Sequence, residues 1–160
     1  MKPDIITDEQ IKRMVNNIVG DILAEIGHKR DGFIIAKHMP YSSDFKWEHG
    51  GWEDYWEYKK HLPFPKQSVC DCCHKKRTKL VGCHVVDVKT KQVYIYPACQ
   101  SCNAKFIGKE NEHPFYARKD WLVPFRVEEA TCENHSKSRE ELLSDALAKI
   151  SSHWDQVPEP

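Results

Sequence analysis

From Ile11 onward, apolar side chains recur at Ile11, Met14, Val15, Ile18, Val19, Ile22, Leu23 and Ile26, the spacing of one helical face. Just before them, Thr7-Asp8-Glu9-Gln10 has the form of a capping box, in which a hydroxyl and an amide each reach an orphan backbone N–H. Gly27 can adopt the left-handed conformation that closes a helix, and His28, Lys29 and Arg30 follow it. The pattern predicts a helix over residues 8–26 whose stripe is either core or a dimer seam.

The pattern then shifts. Phe33-Ile34-Ile35-Ala36-Lys37 reads as a short strand. Between Tyr41 and Phe64 the chain is rich in aromatic residues, and after Gly50-Gly51 a short helix is predicted from Trp52 to about His61. Acidic Glu53 and Asp54 near its start and Lys59 and Lys60 near its end suit the helix dipole, and Pro63 and Pro65 stop it. Four carboxylates interleave with those rings, which points to packing rather than base stacking. Val81–Val88 and Val93–Tyr96 read as a hairpin turning at Lys89-Thr90-Lys91-Gln92. A second capping-box candidate, Ser138-Arg139-Glu140-Glu141, opens a helix predicted over 139–153, and the tail Val157–Pro160 is expected to fray.

The alternation of helical and strand patterns makes the expected class α+β, with 1–65 and 109–160 and their helices flanking the middle of the chain in one compact domain. The 160 residues are enough to bury a core. No apolar run approaches the roughly 20 residues of a membrane span, and Met1-Lys2-Pro3-Asp4 begins no signal core, so a cytoplasmic location without membrane partners is expected. Charge changes the picture further. The total is zero, but residues 1–65 hold 9 basic and 11 acidic side chains, 66–119 hold 11 and 4, and 120–160 hold 4 and 9. A basic middle between acidic flanks attracts phosphates or an acidic protein face, or else is covered by those flanks.

That basic middle also holds six of the seven cysteines. Cys70 and Cys73 form one Cys-x-x-Cys pair and Cys99 and Cys102 another, with 25 residues between Cys73 and Cys99. Tight turns of this spacing aim two thiolates each at one tetrahedral ion, so a structural Zn²⁺ is expected. A disulfide framework is the competing use, disfavoured by the odd count and the absence of a signal core. Cys72 offers a less usual Cys70-x-Cys72 alternative, and Cys132 reads as a free thiol.

Taken in order, Cys70-x-x-Cys73, Gly82-Cys83-His84-Val85-Val86 and Tyr94-Ile95-Tyr96-Pro97-Ala98-Cys99-Gln100-Ser101-Cys102-Asn103 resemble the zinc-knuckle branch of the HNH endonucleases. The resemblance covers about 66–108 and implies a treble-clef, ββα-metal unit. In it His84 corresponds to the general base and Asn103 to the last, helix-borne catalytic position, with Mg²⁺ or Mn²⁺ as the ion of catalysis. The chain is also similar to uncharacterised bacterial and phage zinc proteins that share the downstream Leu122-Val123-Pro124. It departs from the family at two places: Cys83 stands where a metal-binding Asp or His is usual, and Tyr94 where an orienting Asn is usual. A thiol is a poor ligand for Mg²⁺, which takes oxygen, and Asp87 is the only nearby carboxylate.

The expectation is therefore a zinc-stabilised binding protein on a degenerate HNH-type scaffold, of phage or mobile-element kind. It would engage nucleic acid, or a protein that handles nucleic acid, through Lys75, Lys76, Arg77, Lys79, Lys89, Lys91 and Lys105. His84 would then be a packed imidazole and Asn103 a helix cap. The alternatives are an active nuclease using His84 and Asn103, and a protein-binding inhibitor of a host nucleic-acid system. A homodimer through the first helix is compatible with each.

Overall fold

The first periodic segment forms α1, Asp8–Lys29. Its capping box is made in both directions: the Gln10 N–H donates to Thr7 Oγ1 at 3.1 Å and the Thr7 N–H to Gln10 Oε1 at 2.9 Å. The helix runs through Gly27 rather than closing there, since one glycine costs only about 1 kcal/mol in a helix. Of the two uses open to its stripe, core is not the one adopted in its first half, where Ile11, Met14, Val15 and Ile18 are 47–55% exposed. The computed structural model describes residues 7–29, 32–105, 113–132 and 136–152, with backbone only over 19–29. The predicted tail over 157–160 lies outside the described residues, and the C-terminal helix predicted over 139–153 ends earlier, at Ala148, with Lys149 as its cap.

The strand patterns form β1, Phe33–His38, β5, Leu80–Asp87, and β6, Val93–Cys99. Before β5 come β2, Phe45–Trp47, α2, Trp52–Lys60, and a miniature pair, β3, Ser68–Val69, and β4, Lys76–Arg77. After β6 follow α3, Gln100–Lys105, β7, Phe115–Arg118, β8, Val123–Pro124, β9, Ala130–Cys132, and α4, Arg139–Ala148. The fold is α+β, and no described helix is long and apolar enough to cross a membrane.

Five strands make one antiparallel sheet in the order β7-β1-β5-β6-β8. Each of the three sequence segments contributes to it, with β1 inserted between β5 and β7. Strand β6 runs three residues past the predicted end and carries Pro97 opposite Gly82. The Phe125 N–H donates to the Val93 carbonyl, so the odd positions of β6 turn away from β5. Pro97 therefore removes no donor from the central ladder. The far end of the hairpin is tightened by Asp87, whose Oδ1 accepts from the Lys89 N–H at 2.8 Å and the Thr90 N–H at 3.3 Å.

From Cys83 to Asp87 every residue of β5 is buried, so the strand is covered on both faces. Register fixes which side chain faces where. Val85 lies opposite His38, and Cys83 opposite Tyr96, so Cys83, Val85, His38 and Tyr96 share one face. Gly82 and His84 turn to the other, against α2, where a Cβ at Gly82 would sit 2.8 Å from the Trp52 backbone. The aromatic segment thus packs as expected: Tyr55 and Trp56 are buried, and the Trp56 indole N–H donates to the Trp121 carbonyl at 2.8 Å.

Candidate metal centre

The knuckle between β3 and β4 is a tight turn with His74 in the left-handed region at φ 61°. The His74 N–H donates to the Cys70 carbonyl at 2.7 Å, and the Cys70 N–H to the Lys75 carbonyl at 3.0 Å. This turn aims Cys70 and Cys73 at the junction of β6 and α3, where Cys99 and Cys102 stand. All four sulfurs lie within 4.8 Å of one another. Cys73 and Cys99 are 3.8 Å apart and Cys70 and Cys102 4.0 Å apart. A tetrahedron with metal–sulfur bonds of about 2.3 Å has edges of about 3.8 Å. A disulfide needs sulfurs about 2.05 Å apart, and all seven cysteines are unbonded. The four donors fit a metal ion such as zinc.

Local groups favour the thiolate at Cys73, whereas burial raises the Cys70 and Cys102 thiols. The Cys99 N–H donates to Cys70 Sγ at 3.4 Å, and Arg77 Nη2 to Cys73 Sγ at 3.6 Å. Burial pushes the Cys73 thiol up, but hydrogen bonds from the Lys75 backbone and Arg77 outweigh it and bring the pKa to about 7. The remaining knuckle cysteine, Cys72, is buried beside the cluster but outside it, and burial pushes its thiol to about 12. The structure thus selects the x-x spacing over Cys70-x-Cys72. Cys132 sits on β9 opposite Phe45.

Asp71, inside the knuckle, ties the centre to the sheet. Arg118 on β7 grips it from two nitrogens, Nε to Oδ2 at 3.0 Å and Nη2 to Oδ1 at 3.1 Å. Tyr96 Oη donates to Asp71 Oδ2 and accepts from the Arg118 N–H at 2.8 Å. The guanidinium also lies 3.6 Å from the Trp121 ring centroid. These partners are distant in sequence from Asp71, and only its position between two ligand cysteines hints at the role.

The two catalytic candidates are not brought together. His84 is 1% exposed and lies edge-on to Trp52 at 4.6 Å and to Phe125 at 4.8 Å, with Phe45 at 6.1 Å. Its Nε2 has no hydrogen-bond partner among the described residues, and burial lowers its pKa to about 3. Asn103 lies on the opposite side of the sheet, beside buried His38. Burial lowers the pKa of His38 to about 4; Asn103 opposes that shift, although no hydrogen bond of ordinary geometry joins the two side chains. His38, not His84, is the histidine next to α3, and its sequence context carries no signal for it. Cys83, next to His84, is a buried thiol that donates to the Val81 and Ala98 carbonyls at 3.5 and 3.8 Å, and burial raises its pKa. Asp87 is committed to the hairpin turn.

The seven basic candidates fall in separate places. Lys75, Lys76 and Lys79 are exposed on the knuckle and the loop after it, and Lys105 is exposed on α3. Arg77 is turned to Cys73. Lys89 and Lys91 stand at the other end of the hairpin, about 20 Å away along β6. There Lys91 Nζ donates to the Ile150 carbonyl at 2.6 Å, beyond the end of α4. No family model matches the chain, and neither a curated protein nor a solved structure matches it.

Proposed function

We propose that this protein is a zinc-stabilised binding module on a degenerate HNH-type scaffold, which engages nucleic acid, or a protein that handles it, through its knuckle. The observation that carries the reading is the placement of exposed Lys75, Lys76 and Lys79 on the short segment that the four-thiolate cluster would rigidify. An all-sulfur, tetrahedral donor set is soft and small, which favours zinc over the hard ions of phosphate chemistry. Once held, the lysines form a fixed array of charge, and fixed charge attracts phosphates without reorganising on contact. Arg77 contributes by neutralising the cluster and Lys105 by extending the charge along α3; Lys89 and Lys91 belong to the far end of the hairpin.

The burial of His84 under Trp52 and Phe125 supports a binding role over hydrolysis, because a general base must reach a water and a phosphate. Its separation from Asn103 by the sheet supports the same reading. The test is a salt titration of affinity for short DNA and RNA duplexes and single strands. Three phosphate contacts give a slope of log K against log salt of about −2 to −3. A triple variant with Lys75, Lys76 and Lys79 changed to Gln is expected to flatten that slope. Binding with an unchanged slope, or no binding to any of these at low salt, would end the nucleic-acid reading.

A further inference from the structure

Away from the metal centre, an open cleft of about 620 Å³ lies where the β2–β9 ribbon meets α2. Two of its walls are the rings of Trp47 and Tyr58, with centroids 5.8 Å apart and planes at 39°. Glu48, Glu128 and Glu129 also line it. Arg139, the one cation among the lining residues, is held by the fold. Its Nε donates to Glu140 Oε1 at 2.9 Å and its Nη1 to the Glu128 and Ala130 carbonyls at 3.0 Å each.

Glu129 already shows what this chemistry does with a cation. It binds Lys59 Nζ at 2.9 Å, and the same ammonium lies 5.4 Å from the Tyr55 centroid and 5.6 Å from that of Tyr58. Glu48 and Glu128 remain. Their side chains are 70% and 60% exposed; among the described residues Glu48 pairs with His49 Nε2 at 2.9 Å and Glu128 with Arg126 at 3.8 Å. The cleft thus offers an indole face together with two carboxylates that are weakly compensated. A guanidinium is planar, is more weakly hydrated than an ammonium, stacks on indole and can bridge carboxylates.

We propose that this cleft binds a guanidinium group, presented by an exposed arginine of a partner polypeptide. The site is independent of the knuckle, so it stands or falls separately from the nucleic-acid reading. The test uses the full zinc-loaded chain, titrated with an acetyl-Gly-Arg-Gly-amide peptide while the Trp47 indole N–H resonance is followed by NMR. Single side chains bind weakly, so saturation is expected at roughly millimolar concentrations. Affinity should fall at least tenfold for the peptide with neutral citrulline in place of arginine, and clearly for the lysine peptide. Trp47→Ala, followed through the backbone amide resonances of Ala130 and Thr131 in the same cleft, should weaken arginine binding about tenfold, and Glu128→Gln, at an exposed position, about threefold. Equal binding of the citrulline or lysine peptide, or no movement of the Trp47 resonance at saturating peptide, would overturn the assignment.

Discussion

The two ends of β5 are held by different physics. At its start, residues 66–79 form only two-residue strands, and Lys66, Gln67, Val69, His74, Lys75, Lys76, Thr78 and Lys79 are all exposed. Such a segment buries too little apolar surface to order itself, and its geometry comes from Cys70 and Cys73 converging on Cys99 and Cys102. From Cys83 to Asp87, by contrast, the strand is buried completely, between α2 with its aromatic rings on one side and Tyr96, His38 and Phe115 on the other. One end is gathered around four cysteines that could hold a metal, and the other is built by packing. The knuckle end thus presents basic, polar chain at the surface without burying it.

The largest effect should come from removing a ligand. Cys99→Ser is expected to abolish metal binding and, with it, the folding energy the ion supplies, so that the melting transition falls steeply and chelator has no further effect. Metal analysis together with calorimetry checks this; a Cys99→Ser protein that keeps one ion per chain and its melting temperature would refute the four-cysteine site. Where β5 packs against α2, Gly82→Ala forces a Cβ to 2.8 Å from the Trp52 backbone, which cannot move as a flexible side chain would. Displacing α2 should cost about 1–3 kcal/mol in urea unfolding, with metal content unchanged.

Acid should also distinguish the ends. His84 is held neutral by burial, with its pKa lowered to about 3, whereas in the unfolded chain it takes up a proton near pH 6.5. Its contribution to stability is therefore complete above about pH 6.5 and is lost as pH falls towards 3. The loss amounts to about 2 kcal/mol between pH 6.5 and 5. With zinc in excess, so that thiolate protonation is common to both proteins, His84→Leu should show a shallower decline of stability over that window than the parent. Identical slopes would mean that the imidazole is not sealed.

Arg118→Ala weakens the tie between the knuckle and the sheet. It leaves Asp71 with Tyr96 as partner, and because the pair is partly exposed the cost should be about 1–2 kcal/mol, with faster chelator extraction of the metal. The smallest effect on stability belongs to the knuckle lysines: changing Lys75, Lys76 and Lys79 to Gln should move the unfolding midpoint by no more than about 0.5 kcal/mol. A larger loss would show that they hold the knuckle rather than project from it.

Much of the local structure was legible in the sequence because its causes are local. The capping box at Thr7, the helix opened by Gly51 and Asp54, the Ser138 cap and the Val81–Tyr96 hairpin depend on neighbours a few residues away. Less legible were β7, β8 and β9, which are short and gain their stability only from strands distant in the chain. The periodicity of α1 foretold its helix but not the fate of its stripe, since a period fixes which residues share a face and not whether that face is covered.

For the site, the sequence alone singled out the four cysteines that could hold a metal, because two Cys-x-x-Cys turns constrain their sulfurs through local backbone geometry. Only the tertiary structure decided the use of everything around them. The alternation of strand β5 sends Cys83 and His84 to opposite faces, and the packing of α2 determines that the face with His84 is sealed. The insertion of β1 beside β5 brings His38, rather than His84, to Asn103. Sequence spacing carries the chemistry of neighbours along the chain; which distant residues share a sheet face depends on strand order and register, and these are set by the burial of the whole core.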